Sequence, residues 1–184
     1  MKPVLLLMAA VLYAQADDLA RTLDDVARVA SVMVDGDVCQ RIVTARAEEY
    51  IVKGHPRDKW FGSDNYDVNH EPYIQTKKTL MRLARLNPAY YDVNLWMPIG
   101  ESPRKIHVVI RNDREISQFW TFGTLVQDMI PEMREVLETG KRVTVRQKPG
   151  ILSVLAPVRN SLGDVVGLVE VVGREKPDAH ENVK

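Results

Sequence analysis

The first third of the chain has apolar residues spaced three or four positions apart. One such series lies on a single face of an amphipathic helix and consists of Leu19, Leu23, Val26, Ala30 and Met33. Asp17 or Asp18 is placed to cap the start of this helix, because a carboxylate accepts hydrogen bonds from the free backbone N–H groups there. Asp35-Gly36-Asp37 ends the pattern, and Asp37 is placed to cap a second helix predicted from Val38 to Lys53.

A polar, irregular stretch separates these helices from the next one. Residues 55–71 mix aromatic, charged and turn-forming residues without a period, so we expect a surface loop. A third helix is predicted from about Pro72 to Leu86, and Asn87-Pro88 ends it because proline cannot continue a helix. Its predicted apolar side comprises Ile74, Leu80, Leu83 and Ala84.

From Tyr90 onwards the pattern changes from helical to alternating. Within residues 90–97 the set Tyr91, Val93, Leu95 and Met97 alternates with Tyr90, Asp92, Asn94 and Trp96. Such alternation predicts a half-buried strand. Residues 98–104 predict a turn that leads to a partner strand from Lys105 to Arg111, so the two strands form an antiparallel hairpin.

The last part of the chain predicts a helix between a loop and three strands. The loop, residues 112–124, carries Phe119, Trp120 and Phe122. The helix is predicted from Val126 to Thr139, Gly140 caps its end, and Pro131 is placed to shift its start. The three strands are predicted at residues 142–147, 151–159 and 164–172, and Gly167 in the last of them marks a close approach of another group to the backbone.

The order of these elements determines the expected fold class. Helices come first, followed by two strands, a helix and three strands that short turns connect. This order predicts an α+β fold, with an antiparallel sheet of about five strands and the long N-terminal helices packed on one side.

The start of the chain has the pattern of a cleavable export signal. Lys2 supplies the positive charge, and the apolar run from Val4 to Tyr13 is shorter than the about 20 residues that a membrane-spanning helix needs. Ala14 and Ala16 form the small-x-small pattern, so we expect cleavage after Ala16 and a periplasmic or secreted protein without a membrane span. A buried N-terminal strand and an uncleaved anchor are the alternatives.

Charge and cysteine content narrow the classes of partner. The chain has 25 basic and 25 acidic residues, which gives no electrostatic reason to expect nucleic acid as a partner. Cys39 is the only cysteine, so a disulfide within the chain is excluded. We expect Cys39 to be a small buried apolar residue, with an intermolecular disulfide or a metal ligand as alternatives.

Three segments carry a resemblance to a known family. They are the N-terminal helix with DGDVCQRI at 35–42, EPYIQTKKTLMRLARLNPAYYDVNLW at 71–96, and LETGKRVTV at 137–145 with ILSVLAPVRNSLGDVVGLVEVV at 151–172. In order and spacing these segments resemble the Cache family, the extracytoplasmic PAS-like sensor domains of bacterial receptors. The resemblance implies a central antiparallel sheet, long helices behind it, and a ligand pocket on the other face under loops.

The resemblance covers one sensor domain at residues 17–173, followed by a flexible tail at 174–184. Receptors of the family have a membrane anchor on each side of the domain and a cytoplasmic output domain. This sequence has no second apolar run of that length and no output domain, so we expect a free domain that delivers a ligand to a receptor or buffers it.

Polar and aromatic residues of the predicted sheet are the candidate ligand site. The candidates are Asp92, Asn94, Trp96, His107, Arg111, Trp120 and Ser153. His107 and Arg111 are expected on one face of their strand, Arg111 is suited to hold a carboxylate by forked hydrogen bonds, and Trp120 is suited to stack on an apolar ligand body. The alternative for each residue is a solvated polar face or, for the tryptophans, a place in the core.

Metal binding and catalysis have weaker support. A metal site would use His55, Asp64, Asp67, His70 and Glu71. Their spacing matches no known ligand pattern, so a plain loop is favoured, and we expect no cofactor. Motifs of serine hydrolases, zinc proteases and phosphate-binding loops are absent. The expected function is small-molecule sensing, and the alternative is an interaction module whose helix Asp18–Val34 pairs with a membrane receptor or with a second copy in a homodimer.

Overall fold

The computed structural model describes residues 2–53, 67–100, 105–120 and 126–175, with side chains from Asp18 onwards. The helices in chain order are α1 (Lys2–Met33), α2 (Gly36–Cys39), α3 (Ala45–Lys53), α4 (His70–Leu83) and α5 (Pro131–Thr139). The strands are β1 (Tyr91–Pro98), β2 (Lys105–Ile110), β3 (Val126–Asp128), β4 (Val143–Val145), β5 (Ile151–Arg159) and β6 (Val165–Arg174).

The described strands form one antiparallel sheet in the order β3-β2-β1-β6-β5-β4. This confirms the α+β class and the antiparallel sheet, but the sheet has six strands rather than about five. The additional strand is β3, which occupies the predicted start of the fourth helix. Helix α5 begins only at Pro131, because proline needs no N–H partner in the first turn.

Both faces of the sheet are covered. Helix α1 packs on β5 and β6, and α4 packs beside α1 and on β1, so the apolar residues Leu23, Leu80 and Leu95 belong to one core. The second core lies on the opposite face, where α5 packs on β5 and β6 and contributes Met133 to a cluster that includes Trp96 of β1. The expectation that the long N-terminal helices lie on one side is therefore confirmed for α1 and α4, while α5 lies on the opposite face.

The predicted helix from Val38 to Lys53 is interrupted in the structure. It consists of α2 and α3, and between them Val43 forms an isolated bridge with Val68. The cap of α2 is Asp35, whose carboxylate accepts from Val38 N–H at 3.2 Å. The prediction of Asp37 as the cap is wrong, because the Asp37 carboxylate instead accepts from Ser161 N–H at 2.8 Å.

Helix α4 starts two residues earlier than predicted, and one of its expected core residues points outwards. Ile74 is 46% exposed, whereas Thr76, Leu80 and Leu83 are buried. Ile74 lies six positions before Leu80, which is about 240° around a helix, while Thr76 lies one turn before Leu80 on the same side. The prediction of Ile74 as a core residue is therefore wrong.

Two sequence predictions about single residues are confirmed. A side chain at Gly167 would come within 2.9 Å of the Trp96 carbonyl oxygen and would also collide with the Met97 sulfur, so the backbone is closely approached there. Cys39 is buried as an apolar core residue. The predicted signal segment forms the first part of α1 from Lys2 onwards, and no helix within the described ranges has the length and hydropathy to cross a bilayer.

Candidate functional site

Five polar or amphipathic residues from three neighbouring strands lie on the sheet face opposite α1. They are Asp92, Asn94 and Trp96 of β1, Ser153 of β5 and Glu170 of β6, and all five are buried. Asn94 stands directly opposite Glu170 in the pairing of β1 with β6, so the two side chains lie side by side. The middle of this face is therefore polar, although solvent does not reach it.

The Glu170 carboxylate is the centre of this polar group. Its Oε1 accepts from Gln118 N–H at 2.8 Å and from the Ser153 hydroxyl at 2.9 Å. Its Oε2 accepts from the Ser117 hydroxyl at 2.7 Å, Trp96 Nε1 at 3.1 Å and Asn94 Nδ2 at 3.4 Å. A buried carboxylate requires such partners, since leaving its oxygens unpaired away from water costs several kcal/mol.

Residues 112–120 form the loop that covers this face, and they are called the covering loop below. The Ser117 hydroxyl accepts from Phe119 N–H and Trp120 N–H, both at 3.0 Å, so its own hydrogen points to Glu170. The Gln118 amide donates to the carbonyl oxygens of Val145 at 3.1 Å and Ile151 at 2.7 Å. The second half of the covering loop is thereby fixed to β4, β5 and β6.

The first half of the covering loop is held by β1. Asn94 accepts from Asn112 N–H at 3.1 Å through Oδ1 and donates to the Ile116 carbonyl at 2.8 Å through Nδ2. The Asp92 carboxylate accepts from Arg114 N–H at 3.0 Å. Asp92 and Asn94 are thus engaged by the backbone of the covering loop, whereas Trp96 Nε1 and the Ser153 hydroxyl donate to Glu170.

Burial changes the acidity of both carboxyl groups on this face. It raises the pKa of Glu170, and the hydrogen bonds from Ser117, Gln118, Ser153 and Trp96 only partly oppose this rise. Burial likewise raises the pKa of Asp92, against N–H groups of the backbone and the positive charge of Lys77. The interior therefore favours the protonated form of each group relative to an exposed carboxyl.

A second group of candidate residues lies at the two ends of the covering loop. The Arg111 guanidinium stacks on the Trp120 ring at 4.3 Å from its centroid. Glu115 approaches Arg111 to 3.7 Å, and the ammonium of Lys77 donates to the Arg111 carbonyl. Trp120 Nε1 is buried without an acceptor among the described residues. Burial lowers the pKa of Lys77.

His107 does not join either group. It pairs with Met97, whose side chain belongs to the core beneath α1, and burial lowers its pKa to about 4. A register shift opposite Leu95 and Trp96 adds Val109 to β2, which reverses the alternation beyond it. His107 and Arg111 consequently lie on opposite faces, and the prediction that they share a face is wrong.

The remaining candidate chemistry lies near the starts of α3 and α4. Asp67 pairs with Arg46, and within the described residues no group of three or more His, Cys, Asp or Glu side chains is arranged to hold a metal ion. His55 and Asp64 of the alternative metal site lie outside the described residues. An open groove of about 590 Å³ is lined here by polar and small residues that include Arg41, Thr44, Asn69 and His70.

Sequence reasoning missed the central residue, Glu170, and its partners Ser117 and Gln118. A signal was present, because Glu170 is the one charged residue in the strand VVGLVEVVG, and a charge in a strand that is apolar on both faces requires buried partners. Ser117 and Gln118 gave no comparable signal, since polar residues are usual in a loop. Comparison of the chain with protein-family models and with curated proteins found no match.

Proposed function

We propose that the protein is an extracytoplasmic sensor module of the Cache type, which binds a small organic molecule and catalyses no reaction. The proposal includes the cleavable signal at residues 1–16 and a periplasmic or secreted location. Its partner would be a membrane receptor. The receptor would either take over the ligand from the module or bind the module in its ligand-bound conformation.

One observation carries this proposal. The antiparallel sheet has the long helix α1 on one face and, on the other, a buried polar surface under the covering loop. That is the arrangement the family resemblance implies, in which helices lie behind the sheet and the ligand is bound beneath loops. A polar surface under a short loop is also unusual for a purely structural sheet, whose inner face is apolar.

The Arg111–Trp120 pair supports a ligand with a carboxylate group. A guanidinium that stacks on an indole keeps its N–H groups along its edge, where they match the two oxygens of a carboxylate. Glu115 already brings a carboxylate to 3.7 Å from Arg111, which is beyond hydrogen-bonding distance. A ligand carboxylate that approaches more closely would displace Glu115 towards solvent.

The alternative function is an interaction module without a small ligand. Val32 is 81% exposed and Met33 is 58% exposed at the end of α1, and such a pair favours contact with another protein. Light scattering would show a dimer that the substitution of both residues by serine dissociates. The remainder of the outer face of α1 carries the ion pairs Asp18–Arg21 and Asp25–Arg28, which suit solvent better than a helix interface.

The experiment that tests the sensor proposal is a binding screen. Isothermal titration and thermal shift across organic acids, amines and purines should find a ligand, and Arg111→Ala should weaken binding of an organic acid about tenfold or more. Arg85→Ala is the matched control, because Arg85, like Arg111, lies near a carboxylate of the covering loop, at 3.9 Å from Asp113, whereas the stacking on Trp120 belongs to Arg111. A complete absence of binding, or equal losses in both variants, would contradict the proposal.

A further inference from the structure

We propose that the Glu170 cluster is a latch that holds the covering loop against the sheet, and that the loop opens as a unit while the six strands stay paired. Its role as the gate for a ligand rests on the proposed function. The existence of the latch does not, since it concerns the protein without ligand.

The first support is the kind of contact that holds the loop. Five backbone N–H groups of the loop donate to side-chain acceptors, and none of these five donates to the backbone of a neighbouring strand. The N–H groups of Asn112, Arg114 and Gln118 donate to the strand side chains of Asn94, Asp92 and Glu170, respectively, whereas those of Phe119 and Trp120 donate to Ser117 within the loop. A segment held in this way can leave without breaking any backbone pairing in the sheet.

The second support is that the sheet side of the latch remains assembled when the loop leaves. Two of the five donors to Glu170 come from the loop, namely the Ser117 hydroxyl and Gln118 N–H. The other three come from the strands, through Ser153, Trp96 and Asn94. The carboxylate therefore stays in position to receive the loop again or to receive a ligand that supplies N–H or O–H donors.

The third support is the conformation of the loop itself. Glu115 has φ of 51°, a left-handed backbone conformation that residues other than glycine rarely adopt. Two apolar side chains of the loop, Ile116 and Phe119, are also buried, and Phe119 contacts the Trp96 ring edge-on at 6.0 Å between centroids. The closed loop thus contains a strained residue, and relaxation of that strain on opening offsets part of the cost of exposing these two side chains.

Hydrogen exchange measured by mass spectrometry on the ligand-free protein tests the latch. Glu170→Gln keeps the shape of the side chain but turns an N–H group towards the donors of the loop. We expect the amides of residues 112–120 to exchange at least tenfold faster, while the amides of β1, β5 and β6 keep their protection. Ser117→Ala, which changes the loop and leaves the sheet intact, should give the same pattern.

Ser153→Ala is the matched control, because it removes a donor to Glu170 that comes from the sheet and not from the loop. It should leave the exchange of the covering loop within about twofold of the wild type. Equal acceleration in loop and strands in Glu170→Gln would overturn the proposal, because Glu170 would then support the whole fold. Unchanged loop exchange in both Glu170→Gln and Ser117→Ala would also overturn it. Either result leaves the ligand screen unaffected, so the latch and the sensor proposal fail separately.

Discussion

The two faces of the sheet are both buried, but different contacts bury them. Beneath α1 the contacts are apolar, with Leu23 of the helix against residues such as Val154 and Val171. On the opposite face, the middle of the sheet holds Asn94 and Glu170, which bind the backbone of the covering loop. The difference teaches that alternating polar residues in a strand do not identify a solvated face, since here they attach another part of the same chain.

The largest effect is expected on the apolar face. Leu23→Ala should lower the free energy of unfolding by about 2 to 5 kcal/mol, because a fully buried leucine is replaced by a cavity beneath α1. Leu162→Ala is the control, since Leu162 is 84% exposed, and it should change stability by less than about 0.5 kcal/mol. Urea unfolding followed by circular dichroism measures both, and similar losses in the two variants would show that α1 does not form this core.

His107 makes the α1 side of the sheet sensitive to acid. Its pKa is lowered from 6.5 to about 4. Between these pH values the imidazole is therefore neutral in the folded protein but protonated in the unfolded chain. The contribution of His107 to the free energy of unfolding is complete above pH 6.5. About 3 kcal/mol of it is lost as the pH falls towards 4. In His107→Leu this part of the pH dependence of unfolding should disappear. An identical pH profile in wild type and variant would contradict the buried position of His107.

On the polar face, the stability contributed by Glu170 is expected to change with pH in the opposite direction. Its pKa is raised by burial, so its contribution is complete below the pKa of an unfolded glutamate and falls as the pH rises through the folded value. The side chain in the Glu170→Gln variant does not titrate, so the variant does not lose this stability as the pH rises. The stability of the variant relative to the wild type should therefore increase with pH above about 4.5, the range in which an exposed glutamate ionises. Urea unfolding at several pH values tests this, and a difference that stays constant or decreases would refute it.

The smallest effect concerns Cys39, whose labelling rate shows whether its thiol is buried or exposed. Burial raises the pKa of its thiol to about 12, so at neutral pH it is almost entirely protonated and shielded. A thiol reagent such as dithionitrobenzoate should label it only after unfolding in urea. Rapid labelling of the native protein would show that the site near Asp35 and Thr76 is open to solvent.

Much of the fold could be predicted from the sequence because periodicity records burial. Strand β5 has the predicted bounds, Ile151 to Arg159, since its apolar residues lie between two clear turns. Strand β3 was missed because three residues, Val126–Asp128, are too short to show a period. The break between α2 and α3 was also missed, since it depends on the bridge from Val43 to Val68, which is a contact between distant parts of the chain.

The candidate site was predicted only in part, for a similar reason. The alternation of β1 correctly grouped Asp92, Asn94 and Trp96 on one face, and Ser153 joins them there. The face predicted for His107 was wrong because no pattern in the sequence indicates the bulge at Val109. The partners of Glu170 depend on how the covering loop folds back over the sheet, and no local pattern specifies that path.

Native mass spectrometry of the purified protein, before and after denaturation, tests the sensor proposal most directly. We expect a native mass that exceeds the mass of the polypeptide by one small organic molecule, and the loss of that molecule on denaturation. The released molecule would then identify the ligand class for titration against Arg111→Ala. A native mass equal to that of the bare polypeptide, as a monomer or as a dimer, would contradict the sensor proposal, and the dimer would favour the interaction module.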